Sequence, residues 1–195
     1  MSRIAPLLLL PCALSCASEP VATHQVGQIL TPMGEILVWL HHETPTRRAA
    51  FIEFADAGYW DDYTFNRVID DFVAQGGCPD TAEGFAYSIH LLEPEFTPSA
   101  RHVYGAFGAG RDDNPRKLSA VCQFYIVQNR DGIARLDDNY TVYGQVFDGM
   151  DLVDQIVRVD TDANDQPLTP ITLDVNVIEM TVAEIAAFGF EIPVN

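Results

Sequence analysis

The sequence predicts a mainly β fold: an eight-stranded antiparallel closed β-barrel capped by two α-helices. Three observations lead there. About eight short apolar runs are separated by Pro, Gly or Asp turns, the pattern of strands joined by tight connections. Apolar residues at helical spacing extend over only two longer segments, near 46–57 and 150–157. Antiparallel strands in that number favour closure, which leaves no exposed edge for another chain to pair with.

The elements follow in order. Residues 26–30 and 35–40 flank Thr31-Pro32-Met33-Gly34, a Pro/Gly turn that predicts an antiparallel hairpin, with Trp39 as a core or sheet-face aromatic. Thr46 can cap a helix whose apolar positions are Ala50, Phe51, Phe54 and Ala55, with Gly58 ending it. Residues 65–69 and 72–75 form a second hairpin around Asp70-Asp71. Residues 78–101 carry Pro79, Gly84, Pro94 and Pro98 without a sustained period, a long irregular loop. Strands are expected at 103–109, 123–127, 140–147 and 172–180, with a polar loop over 110–119 and the second helix over 150–157. Thr181 and Glu184 make a capping-box pattern for a short terminal helix ending at Gly189.

A chain of 195 residues suits one domain with short appended segments: 1–15 a signal peptide, 16–24 a tether, 25–180 the folded domain and 181–195 a C-terminal helical extension. Arg3 precedes an apolar run over 4–14 that holds Pro6 and Pro11 and is too short to span a membrane, so it reads as a secretory signal. Ala13-Leu14-Ser15-Cys16 resembles a bacterial lipobox, with Ala13 where leucine is usual. That resemblance implies lipidation of Cys16, an envelope or periplasmic location and a membrane link through the lipid alone. Cleavage after Ala17 by ordinary signal peptidase is the rival. Cys78 and Cys122 are then the cysteines of the folded part, either one disulfide or two partly buried thiols, which geometry decides.

The formal charge is −17, with 28 acidic against 11 basic residues. Without a basic patch to replace phosphate counterions, nucleic-acid binding is excluded as an expectation. The acids are scattered, so they read first as a solvated surface; an acidic rim favouring basic substrates is the lesser reading. The five histidines show no ligand spacing and read as surface or core residues.

The chemistry centres on Phe65-Asn66-Arg67-Val68-Ile69 and Phe72-Val73-Ala74-Gln75-Gly76-Gly77. Strand alternation puts Arg67 on one face with Phe65 and Ile69, and the return strand brings Phe72 and Gln75 near it. A plain reading pairs Arg67 with Asp70 or Asp71 at a strand edge. The other gives a guanidinium, a carboxamide and an aromatic wall in one small space.

These two motifs, with Cys122-Gln123-Phe124-Tyr125-Ile126, Leu136-Asp137, Tyr140-Thr141-Val142-Tyr143-Gly144-Gln145-Val146 and Gly149-Met150-Asp151-Leu152, resemble the cyclophilin-type peptidyl-prolyl cis-trans isomerases in order over about residues 27–180. The resemblance implies that family's eight-stranded barrel with two helices, a monomer, proline-containing polypeptides as substrates, and a reaction needing no metal or cofactor. It further implies Arg67 as catalytic cation and Gln75 holding both the guanidinium and the substrate backbone. Phe72, Val73, Tyr125, Leu136 and Tyr140 resemble proline-pocket walls, Gln123 a main-chain contact, and Gly110 part of the neighbouring groove. Aromatic strand residues alone read as barrel core. Val73 stands where methionine is common, and Arg135 where many eukaryotic members carry a tryptophan that contacts cyclosporin. These departures keep open a catalytically weak, proline-peptide-binding or chaperone module of the cell envelope.

Overall fold

A computed structural model of the chain describes residues 21–61, 63–79 and 91–193. The signal segment, Cys16, the first part of the tether and residues 80–90 of the irregular stretch lie outside the described residues. Eleven strands and three α-helices follow in chain order among the described residues. They are β1 (Thr23–Thr31), β2 (Gly34–Leu40), α1 (Pro45–Asp56), β3 (Thr64–Ile69), β4 (Val73–Gly77), β5 (Leu91–Leu92), β6 (Ala106–Ala109), β7 (Ser119–Ala120), β8 (Gln123–Val127), β9 (Val142–Asp148), α2 (Met150–Ile156), β10 (Ile171–Thr172), β11 (Asp174–Thr181) and α3 (Val182–Ala187).

Nine strands make one antiparallel ladder in the order β10-β3-β4-β8-β6-β9-β2-β1-β11, and β5 pairs separately with β7. The fold is mainly β with a curled antiparallel sheet, but the ladder is not the expected closed ring of eight. Its end strands, β10 and β11, are separated in the chain by Leu173 alone. Two segments one residue apart cannot turn to pair with each other, so hydrogen bonding does not complete a ring. The curvature is nevertheless forced, because one nearly continuous segment must edge both β3 and β1.

Inside the curl, Ile29, Ile36, Val38, Phe107, Phe124 and Ile126 are fully buried, and Phe51 of α1 and Val153 and Ile156 of α2 pack into the same core. At roughly 25 cal/mol per Å² of apolar surface removed from water, this burial is the main force holding the curl. Trp39 faces the other way. It packs with Val26, Leu37, Met180 and Ile185, and Phe190 lies 6.1 Å from its ring, so the C-terminal extension covers the outer sheet face there. The capping box forms as expected: Thr181 N–H donates to Glu184 Oε2 at 2.7 Å and Glu184 N–H to Thr181 Oγ1 at 3.2 Å.

Two expectations shift. The strand expected over 103–109 contracts to β6, because Gly105 takes φ +79° and Ala106 N–H bonds back to Val103 O. Helix α1 starts at Pro45, and Thr46, expected as its cap, lies inside it. The Glu95 carboxylate, distant in sequence, instead accepts from Thr46 N–H at 3.0 Å and Arg47 N–H at 2.8 Å. An anion there satisfies two orphan donors and opposes the helix dipole. Nearby, the buried Arg47 guanidinium donates to Ala120 O and Ser119 Oγ, tying α1 to β7.

The open question of the cysteines is answered by geometry: Cys78 and Cys122 form a disulfide with Cα atoms 5.4 Å apart. It sits one residue beyond the Gly77↔Gln123 pair and extends the β4–β8 ladder as a covalent rung. Replacing Glu95 by Ala is expected to lower the unfolding free energy by about 1 kcal/mol, the usual worth of a helix cap; denaturant titration of both proteins measures it.

Candidate active site

Strands β3 and β4 pair regularly at Thr64↔Gly77 and Phe65↔Gly76, then slip by one residue so that Arg67 opposes Gln75. The slip is a bulge at Asn66. Simple alternation put Phe65, Arg67 and Ile69 on one face; instead Phe65 and Val68 enter the core, while Arg67 and Ile69 point outward and are half-buried. An extra residue in one strand reverses which side chains face the core beyond it. The Asn66 carboxamide holds the bulge, its Nδ2 donating to Gly77 O at 2.6 Å and to Cys78 O at 3.0 Å, while Gln75 Nε2 donates to Asn66 Oδ1 at 3.4 Å.

Arg67 does not pair with Asp70 or Asp71. Asp70 meets Arg158 at 3.5 Å, and Asp71 turns the hairpin at φ +61°. The carboxylate near Arg67 is Asp165, whose Oδ2 lies 3.7 Å from Nε and whose carbonyl accepts from Val68 N–H at 2.8 Å. Sequence spacing offered no signal for Asp165, 98 residues away by position (165 − 67).

Arg67 opens onto a cleft of about 330 Å³ that brings together Gln75, Phe72, Val73, Gln123, Tyr125, Leu136, Tyr140 and Gly110, every expected site residue of the folded part, with Arg111 and Arg135 at its rim. Its apolar walls are not barrel interior. Val73, Tyr125 and Leu136 pack with Phe72 and Tyr140 in a cluster separate from the main core. The Tyr125 and Tyr140 rings meet in a T-shape with centroids 6.2 Å apart. Gln123 is nearly fully buried, and its Nε2 donates to Cys78 O at 2.9 Å, which leaves the carboxamide oxygen as the group able to accept. That oxygen explains the glycine beside it: a Cβ on Gly110 would sit 1.9 Å from Gln123 Oε1.

Behind the wall lies an arrangement that sequence spacing did not suggest. His102, read as an ordinary core or surface histidine, grips the short 3-10 turn Ala134–Leu136 at both ends. Its carbonyl accepts from Ile133 N–H at 2.7 Å, while its own N–H and ring Nδ1 reach Asp137 Oδ1 at 2.9 and 2.7 Å. With Asp137 taking the Nδ1 proton, Nε2 is left to accept the Tyr125 hydroxyl at 2.8 Å. Gly108 gives that phenol its space, since a Cβ there would lie 2.2 Å from Tyr125 Cζ. One buried imidazole thus spaces two pocket walls, Tyr125 and Leu136. Burial pushes the His102 pKa below 6.5 even though Asp137 opposes this. Burial would raise Asp137, but hydrogen bonds from the His102 ring and backbone outweigh it and hold the carboxyl below its usual range. Burial also lifts the Tyr125 phenol well above 10, so it stays a protonated donor.

The model of the family described as cyclophilin type peptidyl-prolyl cis-trans isomerase/CLD matches residues 26–177. The chain belongs to this family. A Staphylococcus saprophyticus protein named as a peptidyl-prolyl cis-trans isomerase is 31% identical over 153 residues, covering 64% of this chain and 76% of the relative. A Staphylococcus aureus protein of the same name is 29% identical over 152 residues with the same coverage. Among solved structures, a Cryptosporidium parvum cyclophilin-type isomerase superposes with a TM-score of 0.69 at 21% identity, over 79% of this chain and 97% of that one. The cyclophilin AquaCyp293 of Hirschia baltica gives 0.61 at 18% identity, over 78% and 73%. These two likenesses bear on the fold alone.

The cyclophilin reaction is rotation about an X–Pro peptide bond, opposed by a resonance barrier of roughly 18–20 kcal/mol. It asks for donors aimed at an amide that loses its resonance, beside a pocket that holds the proline ring. In this cyclophilin the His102 clasp on the cleft walls Tyr125 and Leu136 is titratable. Above pH 6.5 His102 is neutral in both folded and unfolded chains; below it the unfolded chain takes the proton first. Stability is therefore expected to fall as pH drops below 6.5, with His41 and His42, also lowered chiefly by burial, adding to the fall. Denaturant midpoints against pH test this. The fall should persist in a His41→Gln, His42→Gln background and shrink when His102→Gln is added.

Proposed function

We propose that this cyclophilin accelerates X–Pro isomerisation in proteins folding outside the cytoplasm, with Arg67 as the catalytic cation. The observation that carries the assignment is the bulge at Asn66, which turns the guanidinium out of the core and onto a cleft walled by Phe72, Val73, Tyr125, Leu136 and Tyr140. In a planar amide the nitrogen lone pair is delocalised and accepts poorly. As the bond twists the nitrogen becomes basic, so a guanidinium N–H donates more strongly to the transition state than to the ground state.

Gln75, opposite Arg67 in the ladder, positions the substrate backbone, and Gln123 and Gly110 receive the adjoining main chain. Phe72, Val73, Leu136, Tyr125 and Tyr140 hold the proline ring. The Cryptosporidium protein was also solved in the presence of the dipeptide Ala-Pro, which supports proline-containing peptides as ligands here. The same reading takes the chain as a monomer and the curled sheet as a barrel closed across Leu173. It takes residues 1–15 as a removed signal peptide and Cys16 as a lipidated N-terminus that anchors the domain in the envelope.

Two experiments test it. Arg67→Ala is expected to lower kcat/KM on a proline peptide by roughly 10²–10³-fold, the usual loss for one transition-state donor. NMR exchange spectroscopy measures this, and wild-type turnover no faster than the variant's would leave a peptide-binding module instead. For the anchor, intact mass should show a lipid on Cys16 and Cys16→Ala should release the protein from membranes. A mature chain beginning at Ser18 would contradict it.

A further inference from the structure

The cleft has the opposite charge to the molecule. Against a formal net charge of −17, three guanidiniums, Arg67, Arg111 and Arg135, line it, and among the described residues no carboxylate does; the nearest to Arg67, the exposed Asp165, lies 3.7 Å from its Nε. Elsewhere among the described residues four arginines pair with carboxylates: Arg101 with Asp138, Arg116 with Glu93, Arg130 with Asp154 and Arg158 with Asp70.

At the rim the pattern differs. Arg111 lies 4.6 Å over the Tyr140 ring, and its donors go to uncharged oxygens: Asn139 O at 2.9 Å, Asn139 Oδ1 at 2.8 Å and Asp112 O at 2.7 Å. These bonds fix its plane without cancelling its charge. Arg135 is exposed, sits 5.1 Å over the Phe72 ring and makes no ion pair among the described residues. Acids close to it in sequence are engaged elsewhere, Asp137 with His102 and Asp138 with Arg101. Asp112, beside Arg111, accepts from Asn114 Nδ2 at 2.6 Å.

We infer that Arg111 and Arg135 select proline substrates that carry an acidic side chain next to the proline. The inference rests on the cleft being the isomerase site and adds the class of sequence it prefers. It reverses the expectation of an acidic rim that favours basic substrates. The scattered surface acids act through solvent, where charges more than about 8 Å apart are largely screened at physiological salt. The rim guanidiniums line the same cleft as the walls assigned to the proline ring, already oriented over Tyr140 and Phe72. Local charge therefore outweighs net charge once a peptide is seated. An anionic carboxylate on either side of the proline would complete the ion pairs that the protein makes at its other exposed arginines.

The test uses the full chain and two peptide series that differ only in the residue before, or only in the residue after, the proline, with Glu, isosteric Gln or Lys in that place. At about 0.15 M salt the expected kcat/KM order is Glu, Gln, Lys in at least one series, with Glu above Gln by roughly three- to ten-fold, the worth of one or two partly exposed ion pairs. Arg135→Gln, a change at an exposed side chain, or its combination with Arg111→Gln should bring the ratio toward one. A Glu-to-Gln ratio at or below one in both series overturns the inference, as does a ratio that survives the double variant. If no peptide turns over faster than with Arg67→Ala, the isomerase reading is what fails. The same Glu-to-Gln comparison, read as Kd by NMR titration, then still decides the charge preference.

Discussion

The one-residue slip at Asn66 is the constraint on which the site depends. With perfect pairing, Arg67 would enter the core of the curled sheet beside Phe65, where a lone guanidinium costs several kcal/mol to desolvate. With the slip, Phe65 and Val68 fill the core and Arg67 is delivered to a cleft open to solvent. The same carboxamide that holds the slip also donates to Cys78 O, the atom that Gln123 Nε2 uses from the neighbouring strand. Bulge, disulfide and cleft-lining glutamine therefore share one acceptor. Arg67 and Gln123 are kept in fixed relation without touching.

Around this frame, electrostatics work at short range. Asp165 is close enough to steady Arg67 but is solvent-exposed, so the charge is oriented and not quenched. Across the cleft, His102 trades two hydrogen bonds for the spacing of two walls. A phenylalanine at the place of Tyr125 would need no such partner; the phenol, once buried, needs an acceptor, and the imidazole provides it. The tyrosine, the histidine, Asp137 and the bare Gly108 form one co-dependent set.

Much of this was legible in the chain. The hairpins, both capping helices and the terminal capping box followed from periodicity and turn residues, because those signals are local. The residues of the cleft were legible through family-like motifs, and every one of them in the folded part does line one cleft. What escaped was long-range or a matter of one residue. Alternation cannot reveal a bulge, since Asn66 looks like any strand residue. Glu95 capping α1 and Asp165 beside Arg67 are pairings set by tertiary packing, with no spacing rule to announce them. Strand counting pointed to a ring of eight, whereas the ladder has nine strands, because counting takes no account of β10 and β11 edging β3 and β1 in succession.

That last strand has a consequence for the order of events in making the protein. β1 pairs with β11 from Thr23↔Thr181 to Leu30↔Asp174, so almost the first folded residues wait for almost the last. A ribosome releasing the chain from its N-terminus leaves one edge of β1 bare until the final strand emerges, and the outer face of Trp39 uncovered until the tail after it arrives. Such distant pairing belongs to slow-folding topologies and exposes a sticky edge meanwhile. This isomerase is itself a chain whose first strand gains its second partner only after β11 has been made.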